Sequence, residues 1–158
     1  MNASAVGKKC SVAERAYLAG LVDGDGAIMA IIEPHHEKKH HFRVRIEFKI
    51  TQKEAEDLKF LPRLLGCGKI RTNRTTYDWL TRDQQQILWI LNLIRPYSKM
   101  KQQQIQGAMK IIRTSIRSRK DLIRVARIAD TLSKFNVRSK DRRRNFSNMI
   151  QEHFSSND

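Results

Sequence analysis

The sequence predicts an α+β fold in which helices and hairpins follow the order α-β-β-α-β-β-α, with further helices appended. Three observations carry this reading: two capping patterns that open helices, one stretch of strict apolar–polar alternation, and a glycine–aspartate cluster in YLAGLVDGDG, residues 17–26, where the first helix should stop.

Ser11-Val-Ala-Glu14 has capping-box spacing, in which the hydroxyl satisfies one orphan amide and the glutamate reaches back to another. A helix therefore starts there, runs through YLAGLV and stops at the glycines of DGDG, because glycine accepts the left-handed conformation that commonly closes a helix. AIMAIIE, 27–33, is β-branched and apolar, and Pro34 breaks it, so it is expected as a strand. In HFRVRIEFKI, 41–50, Phe42, Val44, Ile46, Phe48 and Ile50 alternate with His41, Arg43, Arg45, Glu47 and Lys49, which gives one core face and one polar, mostly basic face. A second capping pattern, Thr51-Gln-Lys-Glu54, predicts a helix ending near Gly66. GKIRTNRTTYDWLT reads as a second hairpin with strands near 68–72 and 76–81 around a polar turn. Asp83 caps QQQILWILNLI, which Pro96 terminates. Helices at about 99–116 and 119–135 follow, then a short helix with a loose tail. The expected organisation is a flexible N-terminus (1–10), one domain (11–138) and a basic C-terminal helix or tail (139–158), with no internal repeat.

Thirty-one Lys and Arg residues against 16 Asp and Glu give a formal charge of +15, which points to a polyanionic partner and makes nucleic acid the default. The basic residues interleave with strand patterns rather than lining one amphipathic helix, so an anionic membrane surface fits less well. No apolar run approaches the roughly 20 residues that span a bilayer, and MNASAVGKKC lacks the apolar stretch of a secretory signal. Cys10 and Cys67 form neither a disulfide framework nor zinc-ligand spacing. These features together predict an intracellular protein (cytoplasm, nucleoid or organelle), not a secreted one.

The DGDG stretch has two readings. Asp-Gly is common in turns for local hydrogen-bonding reasons. Carboxylates at a helix C-terminus, however, meet the negative end of the macrodipole and lose on the order of 0.3–1 kcal/mol each, so stability alone does not favour them. Ala16, Gly20 and Gly24 recur at intervals of four and form a ridge of small residues along one helix face, the packing logic of close helix–helix approach. That ridge packs either on the chain's own strands or on a symmetry mate. In the second case two copies of Asp25 meet at a twofold axis and form a divalent-metal site. An EF-hand fails, because a loop begun at Asp23 puts Ala27 and Ile28 at a ligand and the invariant-glycine position, and Pro34 at the glutamate position. HHEKKHH, 35–41, lacks a second ligand cluster and reads as solvent or phosphate contacts rather than zinc. Trp79 and Trp89 are expected in the core. Arg142, Arg143 and Arg144 form a basic run suited to phosphates or plain solvation.

YLAGLVDGDG closely resembles the signature helix of the LAGLIDADG homing endonucleases. The element order, ITQKE at 50–54 and KMKQQQ at 99–104 are similar to segments of the small single-motif members, and the resemblance covers roughly residues 11–115. It implies a homodimer joined by the motif helices, with Ala16, Gly20 and Gly24 at the interface, and a saddle-shaped, four-stranded antiparallel sheet lying along the DNA major groove. It further implies that Asp25 and the Gly24 carbonyl bind metal, that Gln52 orients solvent, that Lys101 lies close to the scissile phosphate, and that Asp23 serves mainly to end and orient the helix. Where related enzymes carry a basic residue a turn after that glutamine, this chain has Ala55-Glu56, with Lys53 as a substitute.

Hydrolysing a phosphodiester needs an activated water, stabilised charge and help for the leaving oxygen, and divalent metal supplies all three. Hard oxygen ligands without His/Cys spacing favour Mg²⁺ or Mn²⁺. Recognition is expected from the polar strand faces, because a two-stranded ribbon fits the major groove. The candidate readers are Met29, Ile31 and Glu33 on the first strand, Arg43, Arg45, Glu47 and Lys49 on the second, and Lys69, Arg71, Asn73 and Arg74 on the later hairpin. The function expected is a site-specific double-strand DNA endonuclease acting on a long pseudo-palindromic site. An intron RNA-splicing maturase and a non-catalytic DNA-binding regulator on the same fold are the rivals.

Overall fold

The structure, a computed structural model, describes residues 10–136 and 143–157. Helix α1 (Val12–Asp25) opens with both halves of the expected capping box: Glu14 N–H donates to Ser11 Oγ at 3.1 Å, and Ser11 N–H to Glu14 Oε2 at 2.7 Å. Strand β1 (Gly26–Pro34) follows without a loop and pairs antiparallel with β2 (Phe42–Gln52), Gly26 opposite Ile50 and Pro34 opposite Phe42. Strands β3 (Lys69–Asn73) and β4 (Thr76–Thr81) form the second hairpin, and β4 pairs with β2. The result is one four-stranded antiparallel sheet in the order β1-β2-β4-β3.

Two sequence expectations are corrected. The helix predicted from Thr51 does not start there, because β2 continues through Thr51 and Gln52, opposite Asp78 and Tyr77 of β4. The Thr51 hydroxyl donates to Asp78 Oδ1 at 2.6 Å instead of capping a helix. Only a 3₁₀ turn (Ala55–Leu58) and a short α2 (Phe60–Leu65) occupy the segment. The close of α1 is the second correction. Gly26 is extended, with φ −85° and ψ 151°, and the left-handed glycine lies instead at Gly66, φ 65°, which ends α2. Gly26 is needed for a steric reason: a Cβ there would stand 2.7 Å from the Val22 carbonyl oxygen, so only glycine lets the chain leave the helix directly into a strand.

Asp83 caps α3 (Gln84–Ile94), accepting from Gln86 N–H at 2.9 Å. Helices α4 (Gln102–Arg113), α5 (Arg119–Asn136) and α6 (Phe146–Ser155) complete the described chain. The helices cover one sheet face, and the alternation in β2 decides which. Phe42, Ile46, Phe48 and Ile50 join Ile28, Ile32 and Trp79 in a core closed by Leu18 and Val22 of α1, Ile90 and Ile94 of α3, Ile105 of α4, and Leu122 and Val125 of α5. Each such side chain contributes about 1.5–3 kcal/mol on burial. Phe146, Ile150 and Phe154 of α6 join the same cluster. Trp79 is fully buried, its indole N–H donating to the Cys67 carbonyl at 3.2 Å, and Trp89 is partly buried against the core.

Candidate active site and nucleic-acid interface

Because Gly26 faces Ile50 in the β1–β2 ladder, the end of α1 and the end of β2 arrive side by side. Gln52 Nε2 donates to Asp25 Oδ2 at 2.7 Å, joining two of the three residues the sequence assigns to chemistry. Asp25 and Gly24 are exposed at the tip of the helix. Lys101, the third, stands immediately before α4, and the turn leading to it is gripped by Asp23. Ser98 Oγ donates to Asp23 Oδ1 at 2.5 Å, and the Lys99 and Met100 amides donate to Oδ2 at 2.6 and 3.1 Å. Asp23 is only 8% exposed. Burial pushes its pKa up, but the bonds from Ser98, Lys99 and Met100, with the nearby Lys101 charge, outweigh this and hold it below the ordinary 3.8. The two carboxylates of DGDG thus have different surroundings: Asp23 is a buried clasp between α1 and the 98–101 turn, and Asp25 is the one open to a ligand.

A divalent cation fits these donors by type, with the Asp25 carboxylate and Gly24 carbonyl supplying hard oxygens. Among the described residues no three His, Cys, Asp or Glu side chains gather to hold a metal, so one copy of this chain offers a partial ligand set. Glu56, at the position where the resemblance leads one to expect a basic residue, is exposed and paired with Lys59.

The ridge of α1 points away from the core. Ala16, Gly20 and Gly24 are exposed, as are Val12 (65%) and Tyr17 (63%). A Cβ added at Gly20 or Gly24 would meet nothing within 4 Å. Neither glycine is needed for packing within the described chain, and of the two packing alternatives the chain's own strands are ruled out.

The candidate readers share the other sheet face. Register sets Met29 opposite Glu47, Ile31 opposite Arg45 and Glu33 opposite Arg43, and on the second hairpin Lys69 opposite Leu80, Arg71 opposite Asp78 and Asn73 opposite Thr76. Lys49, opposite Leu80, falls on the same face. Arg74 sits in the β3–β4 turn at φ 56°. Many of these side chains are already tied down. Arg45 pairs with Glu33 at 3.4 Å, and Glu47, nearly buried, pairs with Arg82. Asp78, fully buried and not picked out from sequence, accepts from Thr51 at 2.6 Å, Asn73 at 3.0 Å and Lys49 at 3.4 Å, with Arg71 4.0 Å away. Its signal was in the hairpin register, which places a carboxylate among three candidate readers. The Arg45 Nε is buried and has no hydrogen-bond partner among the described residues.

At the opposite end of the β1–β2 hairpin, the histidine-rich loop closes on itself through His35 N–H to the His41 carbonyl at 2.8 Å, and the His41 and Phe42 rings lie against His153 of α6. Arg143 and Arg144 border a cleft beside β1, and Arg142 lies outside the described residues.

A helix ending in an open aspartate, a glutamine bonded to it and a basic four-stranded face define a LAGLIDADG-type architecture. The LAGLIDADG endonuclease family profile matches residues 18–108, and the chain belongs to that family. It is 34% identical over 99 residues to the DNA endonuclease I-CreI of Chlamydomonas reinhardtii, a match covering 61% of this chain and 60% of the relative. It is 28% identical over 101 residues to the DNA endonuclease I-CvuI of Chlorella vulgaris, covering 62% and 63%. The chain thus matches about three-fifths of the length of these two relatives. Among solved structures it is similar to I-CvuI in complex with the I-CreI target in the presence of Mg, with TM-score 0.81, 23% identity, and 91% and 94% of the two chains covered. It is also similar to the archaeal intron-encoded homing endonuclease I-Vdi141I complexed with DNA, with TM-score 0.75, 19% identity, and 88% and 95% covered. At these identities the structural matches establish the fold. No helix among the described residues is long and apolar enough to cross a membrane.

Proposed function

We propose that the chain is a site-specific double-strand DNA endonuclease that works as a homodimer with divalent metal, Mg²⁺ or Mn²⁺, on a long pseudo-palindromic site. The observation that carries this reading is the outward face of α1: Gly20 and Gly24 border open space, and the same helix ends at exposed Asp25. Two such faces in contact bring two Asp25 residues together, one for each strand to be cut. The I-CreI and I-CvuI likenesses support the same activity.

In this reading Asp25 and the Gly24 carbonyl hold the cation, which supplies Lewis acidity and a more acidic bound water. The Gln52 amide donates to Asp25 and fixes the carboxylate's orientation, and its carbonyl is left to align solvent. The 98–101 turn, held by Asp23, delivers Lys101 toward the phosphate, where its ammonium stabilises developing negative charge. The sheet's polar face follows the major groove, with arginine and lysine suited to guanine, glutamate to cytosine and Met29 and Ile31 to thymine methyls.

The test is cleavage of a plasmid library of randomised duplex inserts with Mg²⁺. The wild type is expected to linearise a recoverable subset. Asp25→Asn is expected to retain affinity for the recovered sequence and lose cleavage by at least about 10³-fold, in the range of losing a metal-held charge from a preorganised site. Normal cleavage by that variant overturns the mechanism, and binding without metal or cleavage in the wild type leaves a regulator.

A further inference from the structure

The β1–β2 hairpin outruns the rest of the sheet. β2 pairs with β4 over Phe48 to Gln52 alone, so residues 29–34 and 42–47 form a ribbon of two strands. From Phe48 toward the tip, the Gln84 side chain supplies one further rung, accepting from the Ile46 N–H and donating to the Ile46 carbonyl, each at 2.8 Å. A two-stranded ribbon is marginal in water unless another element packs on it. The loop at its end supplies no anchor, because its backbone bonds are internal: His35 N–H to the His41 carbonyl, Lys38 N–H to the His35 carbonyl and His41 N–H to the Lys38 carbonyl. His41 stands at φ 61°, which a non-glycine residue keeps only where its surroundings hold it.

Helix α6 packs on this ribbon. The His153 ring lies 5.1 Å from that of Phe42 and 5.9 Å from that of His41, centroid to centroid, and Phe154 lies 6.4 Å from Phe42. Phe42 opens β2 opposite Pro34, so these contacts fall at the root of the loop. The other end of the helix is fixed to α5, where Asp130 accepts from the Ser147 hydroxyl at 2.6 Å and the Ser147 amide at 3.2 Å. The Arg119 guanidinium, at the start of α5, lies 4.3 Å over the Phe154 ring. Filling the core explains Phe146, Ile150 and Phe154. It leaves His153 over, a half-buried polar ring set against His41 and Phe42.

We propose that α6 braces the β1–β2 hairpin and that His153 is a positioning residue for sequence discrimination, setting how strictly the base pairs farthest from Asp25 are read. The inference rests on the reading of the sheet as the duplex-binding face. Its physical basis is leverage. At roughly 3.3 Å per residue, β1 carries the tip about 26 Å from Gly26, and about 2° of rotation at Gly26 moves the tip by about 1 Å. That shift takes an N–H···O contact out of its range of roughly 2.7–3.2 Å. The same rotation leaves Asp25 and Gln52, at the pivot, in place.

Two measurements on wild type, His153→Ala and His153→Phe test this, with thermal melts confirming that each folds. Hydrogen exchange without nucleic acid reads the brace: exchange of the His35 and His41 amides is expected to rise about fivefold or more in His153→Ala and to return in His153→Phe, which keeps a ring. Selection of bound sequences from a randomised duplex library, without Mg²⁺, reads discrimination. At the outermost two or three base pairs of each half-site, preference is expected to fall about fivefold or more in His153→Ala, the low end of what one good base contact supplies. Preference near the centre and the cleavage rate on the best site are expected to stay at wild-type values. Unchanged exchange, an even loss of preference along the site, or failure of His153→Phe to restore both readouts overturns the proposal. A wild type that selects no sequence while exchange still responds to His153→Ala sinks the duplex-reading face, and the discrimination role with it, but leaves the brace.

Discussion

Gln52 donates its side-chain amide to Asp25 Oδ2 at 2.7 Å, linking the last residue of β2 to the last residue of α1. Gln52→Glu replaces that donor with a second carboxylate. The bond is lost, like charges face each other, and cleavage is expected to fall by about 10²-fold or more with DNA affinity nearly unchanged. Single-turnover cleavage compared with a binding titration reads the two quantities separately. A variant with wild-type cleavage would show that the contact has no part in the chemistry.

Gly20 separates folding from assembly. A Cβ at this position meets open space, so Gly20→Ala is expected to raise monomer stability by about 0.5–1 kcal/mol through helix propensity. Gly20→Leu leaves the fold equally intact but fills the space a second helix needs, and light scattering should show it monomeric and inactive. A dimer of unchanged affinity would place the interface elsewhere.

Asp23 gives stability an acid dependence. Its carboxyl is held below the ordinary 3.8, so it ionises more readily folded than unfolded. The contribution is therefore complete above that value and lost as pH falls through the lower folded value. Asp23→Ala strands the Ser98 hydroxyl and the Lys99 and Met100 amides and is expected to cost about 1–3 kcal/mol near neutrality. Urea melts at several pH values should show the gap between wild type and variant closing in acid. A pH-independent gap would mean that the carboxylate's charge is not what holds the turn.

Gly68 is fixed by Trp79. It lies at φ 76°, and a Cβ would sit 2.4 Å from the indole ring. Gly68→Ala is expected to cost at least about 2 kcal/mol, combining backbone strain with displacement of a fully buried tryptophan. Thermal melts with tryptophan fluorescence report both, and a neutral result would mean that the ring can shift freely.

Local patterns carried most of the fold. The alternation from Phe42 to Ile50 decided which sheet face meets the helices, and the Ser11–Glu14 box marked where α1 begins. The second box misled because its threonine and glutamine have better long-range partners, Asp78 and Asp25, which no local spacing reveals. The unfavourable position of carboxylates at a helix end marked Asp23 and Asp25 alike, and the resemblance of YLAGLVDGDG to the family's signature helix is what separated Asp25 from Asp23. The separate task of Asp23 depends on Ser98, 75 positions away, and the part played by Asp78 depends on hairpin register.

The shared carboxylate of Asp78 has a consequence for how this surface changes over time. Lys49, Arg71 and Asn73 all lean on it, so replacing any one redistributes the charge and hydrogen bonding felt by the others. Substitutions here should be epistatic, and drift toward a new target would proceed in blocks of several positions rather than letter by letter.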